Sequence, residues 1–232
     1  MLKAKVVNRD NVTAEINLDW EFAVALGYTG RDQESVNRHI EELKKLNVPI
    51  PQSIPAVYWF DPERISTTDT LYVIGDKTSG EIEFFAAFNA SDELFITVAS
   101  DHTDRELESI SVSKSKQICT KIISNIFWRY DDIKNHFDEI ILQCFVKFED
   151  SEEYILYQEG KLNNILQINE LIKYIKSDYF YNNEKFCFFS GTIPILSSET
   201  LFAKKYKLLM IDPVLKREIT HTYKVIALPD RL

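Results

Sequence analysis

The sequence predicts a β-rich α+β domain, and three observations carry that expectation. From Leu71 onward, short apolar runs with strand-like alternation recur between turn residues. Two segments, near residues 32–46 and 169–176, instead carry the spacing of amphipathic helices. The 232 residues contain no convincing linker, internal repeat or low-complexity tract, so 1–232 reads as a single domain.

Taken in order, Ala4 to Val7 is a short strand, followed by irregular chain through Gly27-Tyr28-Thr29-Gly30. A helix runs from Asp32 to Leu46, with Asp32 as N-cap, Lys44 and Lys45 in the last turn, and Val36, Ile40 and Leu43 as its apolar stripe. It stops before Val48-Pro49-Ile50-Pro51, and Pro55 and Pro62 punctuate an extended segment. Strands follow at Leu71–Ile74, Glu81–Phe88 and Leu94–Ala99, the last two joined by a turn at Asn89-Ala90-Ser91-Asp92. Asn125–Phe137 is helical or mixed, and Glu139–Phe148 a long strand. Asn169–Lys176 is a helix with Leu171, Ile172 and Ile175 inward. Phe186–Phe189, Tyr206–Ile211 and Glu218–Ala227 complete the strands.

Hydrophobic residues at 45% and charged residues at 27% fit a soluble globular chain. A formal charge of −9 argues against nucleic acid, whose phosphates need clustered Lys and Arg. No stretch approaches the ~20 apolar residues of a membrane span, and the N-terminus lacks an apolar run of signal-peptide length. Cys119, Cys144 and Cys187 form neither a zinc pattern nor a disulfide framework, which points to reduced thiols and a cytoplasmic protein. No glycine-rich phosphate loop is present.

The chemistry-bearing residues lie in the middle of the chain. Strand alternation points Glu81 and Glu83 to one face, and Asp101 follows the next strand directly. Alone, such a Glu-x-Glu pair is more often the wet face of an edge strand, but Phe85 and Ala87 share that face here. Three carboxylates converging from adjacent strands suit a hard divalent cation, Mg²⁺ or Mn²⁺. His39 and Glu42 stand at i, i+3 on the first helix, where a carboxylate can orient an imidazole and raise its basicity. His102 should face away from Asp101 along an extended backbone. Arg105 either binds a substrate carboxylate or pairs with Asp104 or Glu108. Of Lys114 and Lys116, one points inward if their segment is extended.

The order of these motifs resembles the fumarylacetoacetate hydrolase superfamily from about residue 30 to the C-terminus, as a divergent bacterial branch. Ser35-Val36-Asn37-Arg38-His39-Ile40-Glu41-Glu42-Leu43 is similar to the family's lid motif Asn-Tyr-x-x-His-x-x-Glu-Leu, matching at His, Glu and Leu and departing at the opening pair. Gly80-Glu81-Ile82-Glu83 looks like its Glu-x-Glu metal strand. Ser100-Asp101-His102-Thr103-Asp104-Arg105-Glu106-Leu107-Glu108 aligns without gaps on its Asn-Asp-x-Ser-x-Arg-Asp-Leu-Gln stretch, and Ser190-Gly191-Thr192 resembles its late Gly-Thr turn. The family's Phe-x-Lys-Pro element is missing: Tyr58-Trp59-Phe60-Asp61-Pro62 puts an acid where the lysine usually stands.

The resemblance implies a mixed β-sheet roll with a β-barrel-like core and peripheral helices. Residues 1–62 would form the N-terminal strand and lid-helix region and 63–232 the metal-binding catalytic core. It implies metal ligation by Glu81, Glu83 and Asp101, and water activation by His39 and Glu42. Charge stabilisation would fall to Lys116 or Lys114, and substrate contacts to Arg105, Thr192 and Gly191. The expected activity is metal-dependent hydrolytic cleavage of a C–C bond in a small 2-oxo or diketo acid. Decarboxylation, isomerisation, dehydration or simple metabolite binding on the same fold stand as alternatives. A small carboxylate substrate, no nucleic acid, no membrane and a homodimer complete the expectation.

Overall fold

The computed structural model describes residues 1–45, 51 and 53–231, and the side chains of residues 39 and 42–45 lie outside the described part. A ten-stranded mixed sheet dominates. Along its main path the strands run Thr13–Leu18, Leu2–Val7, Ile126–Arg129, Leu94–Ser100, Ile82–Phe88, Phe186–Phe189, Phe22–Gly27 and Ala56–Phe60. Lys121–Ile123 pairs with the end of Leu94–Ser100 and with Ile65–Ser66. A five-stranded sheet runs Ile155–Lys161, Ile141–Lys147, Lys205–Asp212, Arg217–Leu228 and Thr70–Ile74.

The strand Ile82–Phe88 explains the layering. All but its last residue are buried, so both faces are covered, as expected of an interior strand. Phe84 and Ala86, with Ile96 and Val98 beside them, meet Leu142, Cys144, Val146, Leu208 and Met210 of the five-stranded sheet. The helix Ile168–Ser177 adds Ile168, Leu171 and Ile175 to this core. On the opposite face, Phe85 and Ala87 pack with Ala4, Val6, Ala23, Ala25, Phe60, Ala99, Phe127 and Phe189. All of these come from the same sheet, so it curls over its own concave face. Burying each large side chain contributes about 1.5–3 kcal/mol, and the two faces are buried by different means.

The architecture is β-rich α+β, with the ten-stranded mixed sheet curled into a roll. The roll is not a closed barrel: among the described residues its first and last strands, Thr13–Leu18 and Ala56–Phe60, do not pair with each other. The first helix spans Gln33–Lys45, and Asp32 Oδ1 accepts from the Glu34 and Ser35 amides, which caps it. Leu46, its expected end, lies outside the described residues. The chain expected to be irregular through Gly27 instead forms two strands, Thr13–Leu18 and Phe22–Gly27, held by pairing with distant segments, and Ile155–Lys161 is a strand in a stretch the sequence pattern leaves unassigned. Asn125–Phe137 divides into a strand, Ile126–Arg129, and short helical turns. The segment Val112–Ile118 is a helix rather than extended chain. Among the described residues, no helix is long and apolar enough to cross a membrane.

Candidate metal centre

Strand pairing brings the three acids together. Ile82 pairs with Ser100 and Glu83 with Ala99, and the Asp101 amide donates to the Glu81 carbonyl at 3.0 Å. Asp101 therefore lies across the ladder from Glu81. One carboxylate oxygen from each of Glu81, Glu83 and Asp101 lies within 4.8 Å of the others, and Glu83 and Asp101 are almost wholly buried.

Basic side chains surround this cluster. Lys116 Nζ lies 2.7 Å from Asp101 Oδ2 and 3.0 Å from Glu81 Oε2, and donates to Thr103 Oγ1 at 3.2 Å. Lys121 Nζ lies 2.7 Å from Asp101 Oδ1 and donates to the His102 carbonyl. Arg105 donates to Glu81 at 3.1 Å, Glu108 at 2.8 Å and Ser79 Oγ at 2.6 Å. Lys114 is exposed, because on a helix it and Lys116 point to different sides. His102 turns from the cluster to Tyr223 Oη at 3.1 Å and Thr78 Oγ1 at 2.9 Å.

Backbone chemistry sets Glu83. Its Oε2 accepts from the Gly191 amide at 2.8 Å. Gly191 adopts φ +82°, and a Cβ there would come within 2.2 Å of Thr29 Oγ1, so glycine is required on both counts. The Thr192 hydroxyl donates to the Ile82 carbonyl at 2.8 Å and accepts from Gln158 at 2.9 Å. Gln158 also accepts from the Ile82 amide, so the Gly-Thr turn is stitched to the metal strand.

The environments divide the acids. Burial, reinforced by Asp101, holds the Glu83 carboxyl well above the usual range. Burial also works against ionised Glu81 and Asp101. It is outweighed at Glu81 by Arg105 and Lys116, and at Asp101 by Lys116 and Lys121, so both are lowered. Burial lowers the Lys121 pKa, whereas at Lys116 the pull of Asp101 and Glu81 overcomes it and raises the value.

Neither Asp101 oxygen makes a well-directed hydrogen bond, although each is buried and lies 2.7 Å from an ammonium. Buried charges are ordinarily paired with good geometry or coordinate metal. An all-oxygen donor set with two such underused atoms fits a hard divalent cation.

His39 and Glu42 occupy positions on the helix Gln33–Lys45, but their side chains lie outside the described residues. Sequence reasoning overlooked Lys121 and Gln158, and it treated Glu108 only as a partner for Arg105.

Comparison with solved structures bears on the fold. A fumarylacetoacetate hydrolase family protein from Yersinia pestis CO92 is similar in structure, with a TM-score of 0.64 at 15% identity over 96% of this chain and 100% of that one. A 2-keto-3-deoxy-D-arabinonate dehydratase complexed with magnesium and 2,5-dioxopentanoate has a TM-score of 0.62 at 14% identity, over 90% and 75% of the two chains. An Escherichia coli protein described as an isomerase has a TM-score of 0.60 at 16% identity, over 94% and 97%. These likenesses concern the fold. No curated protein matches the sequence. The profile described as "protein of unknown function (DUF2848)" matches residues 26–223, and the chain belongs to that family.

Proposed function

We propose that this chain is a divalent-metal-dependent enzyme acting on a small 2-oxo or diketo acid, with Mg²⁺ or Mn²⁺ held by Glu81, Glu83 and Asp101. One observation carries the reading: three carboxylates within 4.8 Å of one another, two of them buried, with both Asp101 oxygens short of well-directed donors. Held by Glu81, Glu83 and Asp101, a divalent cation would supply Lewis acidity to the oxygens of a bound oxo acid.

The remaining roles belong to side chains. Lys116, held between Glu81 and Asp101, offers a counter-charge and a hydrogen bond where an oxygen gains electron density. Arg105 braces Glu81 and adds positive charge, while the Gly191 amide orients Glu83. Thr192 reaches a substrate carboxylate by exchanging its bond to the Ile82 carbonyl.

Hydrolytic C–C cleavage is the reaction proposed first, with His39 and Glu42 taking the proton from the attacking water. Elimination, decarboxylation or isomerisation is the second reading. It needs no activated water, and the likeness in fold to a dehydratase solved with magnesium supports it. The protein is further proposed to work as a cytoplasmic homodimer, which light scattering in solution checks.

The decisive experiment follows consumption of oxaloacetate and an acylpyruvate with Mn²⁺, with chelator, and in Glu83→Gln. Loss of an inner ligand should cost at least about 100-fold, since even outer partners of metal ligands are worth 10–100-fold. Undiminished metal-dependent turnover in Glu83→Gln refutes the assignment. Full activity in His39→Ala moves the reaction to the second reading, and metal and acid binding without turnover marks a metabolite sensor.

A further inference from the structure

The acids of the cluster are supported from different directions. Glu83 takes its hold from the Gly191 amide, and that turn packs on Thr29. The Thr29 loop is clasped in turn: its carbonyl accepts from the Leu166 amide at 2.9 Å, and the Arg31 amide donates to the Asn164 carbonyl at 2.9 Å. The Arg31 guanidinium also grips Asp138 through two bonds of 2.8 Å. The Asp101 oxygens, by contrast, face two ammonium groups without a well-directed hydrogen bond. The place of Asp101 therefore depends on the backbone that carries it.

That backbone is held from the other sheet. Tyr223 lies on Arg217–Leu228 of the five-stranded sheet, yet its hydroxyl reaches the end of Leu94–Ser100 in the ten-stranded one. There it meets Ser100 Oγ at 2.8 Å and His102 Nδ1 at 3.1 Å, the residues directly before and after Asp101. His102 passes the link on through Nε2, 2.9 Å from Thr78 Oγ1 on the segment that leads to Glu81. All four side chains are buried. Gly80, directly before Glu81, permits the approach, since a Cβ there would collide with the Tyr223 hydroxyl and lie 2.8 Å from Ser100 Oγ. Tyr206 stacks on Tyr223 with ring centroids 5.1 Å apart and planes 9° from parallel, and both rings meet His102 edge-on. Phenylalanine would fill the same space, and a buried hydroxyl costs free energy unless it is bonded. Packing alone does not account for the oxygen.

We infer, resting on the metal-site reading above, that Tyr223 is a positioning residue for the cation: its hydroxyl fixes the backbone on both sides of Asp101 and so sets the spacing of the three acids. The coupling is geometric. The Asp101 amide donates to the Glu81 carbonyl at 3.0 Å, so a shift of residues 100–102 moves both ligands. A metal constellation works only while its ligands stay within about 0.5 Å of place, which falls to the hydrogen bonds behind them. Tyr223 supplies that restraint through Ser100 and His102, from a sheet that carries none of the three acids.

The test titrates chelator-stripped protein with Mn²⁺, follows the free ion by electron paramagnetic resonance, and needs no substrate. Tyr223→Phe keeps the ring and should weaken Mn²⁺ binding about 10-fold or more, the scale of outer partners of metal ligands, and alter the spectrum of the bound ion. Ser100→Ala removes one of the two bonds and should weaken binding about 3–10-fold. The double variant should lose much less than the product of the two, because both act through one link. Tyr157→Phe is the control: it deletes another buried phenol hydroxyl, which accepts from the Leu201 amide at 3.4 Å, and should leave affinity within about twofold of wild type. Tyr223→Phe binding within about twofold of wild type overturns the inference, and if that variant does not fold, the same result for Ser100→Ala does so. An equal loss in Tyr157→Phe also overturns it, by marking a general loosening of the fold. Wild type that takes up no Mn²⁺ overturns the metal-site reading itself, and this inference with it.

Discussion

Replacing Lys121 with Met examines the charge arrangement most directly. Lys121 and Asp101 are fully buried with their charged atoms 2.7 Å apart. At an effective dielectric of 20 the gross attraction is ~6 kcal/mol, and desolvation of the two ions removes most of it. Removing one partner of such a pair costs about 3–5 kcal/mol, because the other is left buried and uncompensated. Asp101 keeps Lys116 at 2.7 Å, so the lower end, about 3 kcal/mol, is expected. For a chain of this size that corresponds to a midpoint lowered by roughly 6–12 °C. The assay is thermal and urea unfolding in chelator, with Asp101→Asn/Lys121→Met alongside. The double variant should recover at least half of the loss, because no unpaired ion remains. A single-variant loss below about 1 kcal/mol, or a double variant as unstable as the single, refutes the pairing argument.

Other outcomes follow from the same geometry. Glu83 has its pKa raised in the fold, so its contribution to stability is complete below the ordinary value of 4.5 and is lost as pH rises through the folded value. In chelator, wild type should therefore gain stability as pH falls from 8 toward 5.5, and Glu83→Gln should flatten that slope in unfolding curves taken at each pH. Asp101, lowered by Lys116 and Lys121 against burial, contributes the opposite trend only in strong acid, below the ordinary 3.8. Adding Mn²⁺ at about 100 times its Kd should stabilise wild type by about 2.7 kcal/mol, read as a raised thermal midpoint, and should leave Asp101→Asn unmoved. Gly191→Ala forces a Cβ against Thr29 at φ +82° and should cost about 2 kcal/mol or more in urea unfolding, with weaker metal uptake.

How far the centre was legible depends on the range of the interactions that build it. Glu81, Glu83 and Asp101 could be read because alternation and the order of two sequential strands are local properties, and the ladder Ile82–Ser100 preserves both. Lys121 could not. Its burial arises from pairing at once with Ile65 and, through Ile122, with Ser100, and nothing in Cys119-Thr120-Lys121-Ile122 announces either contact. The strand Phe22–Gly27 was hidden by its own composition: Phe-Ala-Val-Ala-Leu-Gly is continuously apolar and has no alternation to read. Tyr28 defied the reading differently, since its left-handed backbone runs against residue preference and is imposed by distant partners. The roll itself was anticipated through family likeness, whereas its open seam is a matter of tertiary pairing that periodicity does not encode.

The clasp around Arg31 has a consequence for local opening of the fold. Thr29, Gly30 and Arg31 exchange backbone and side-chain bonds with Asn164, Ile165 and Leu166, while Asp138 receives the guanidinium of Arg31. Two stretches more than a hundred positions apart in the chain are thus expected to open as one unit. Deuterium uptake at the amides of Arg31 and Leu166 should rise and fall together, and weakening the clasp with Arg31→Lys should speed both by a common factor.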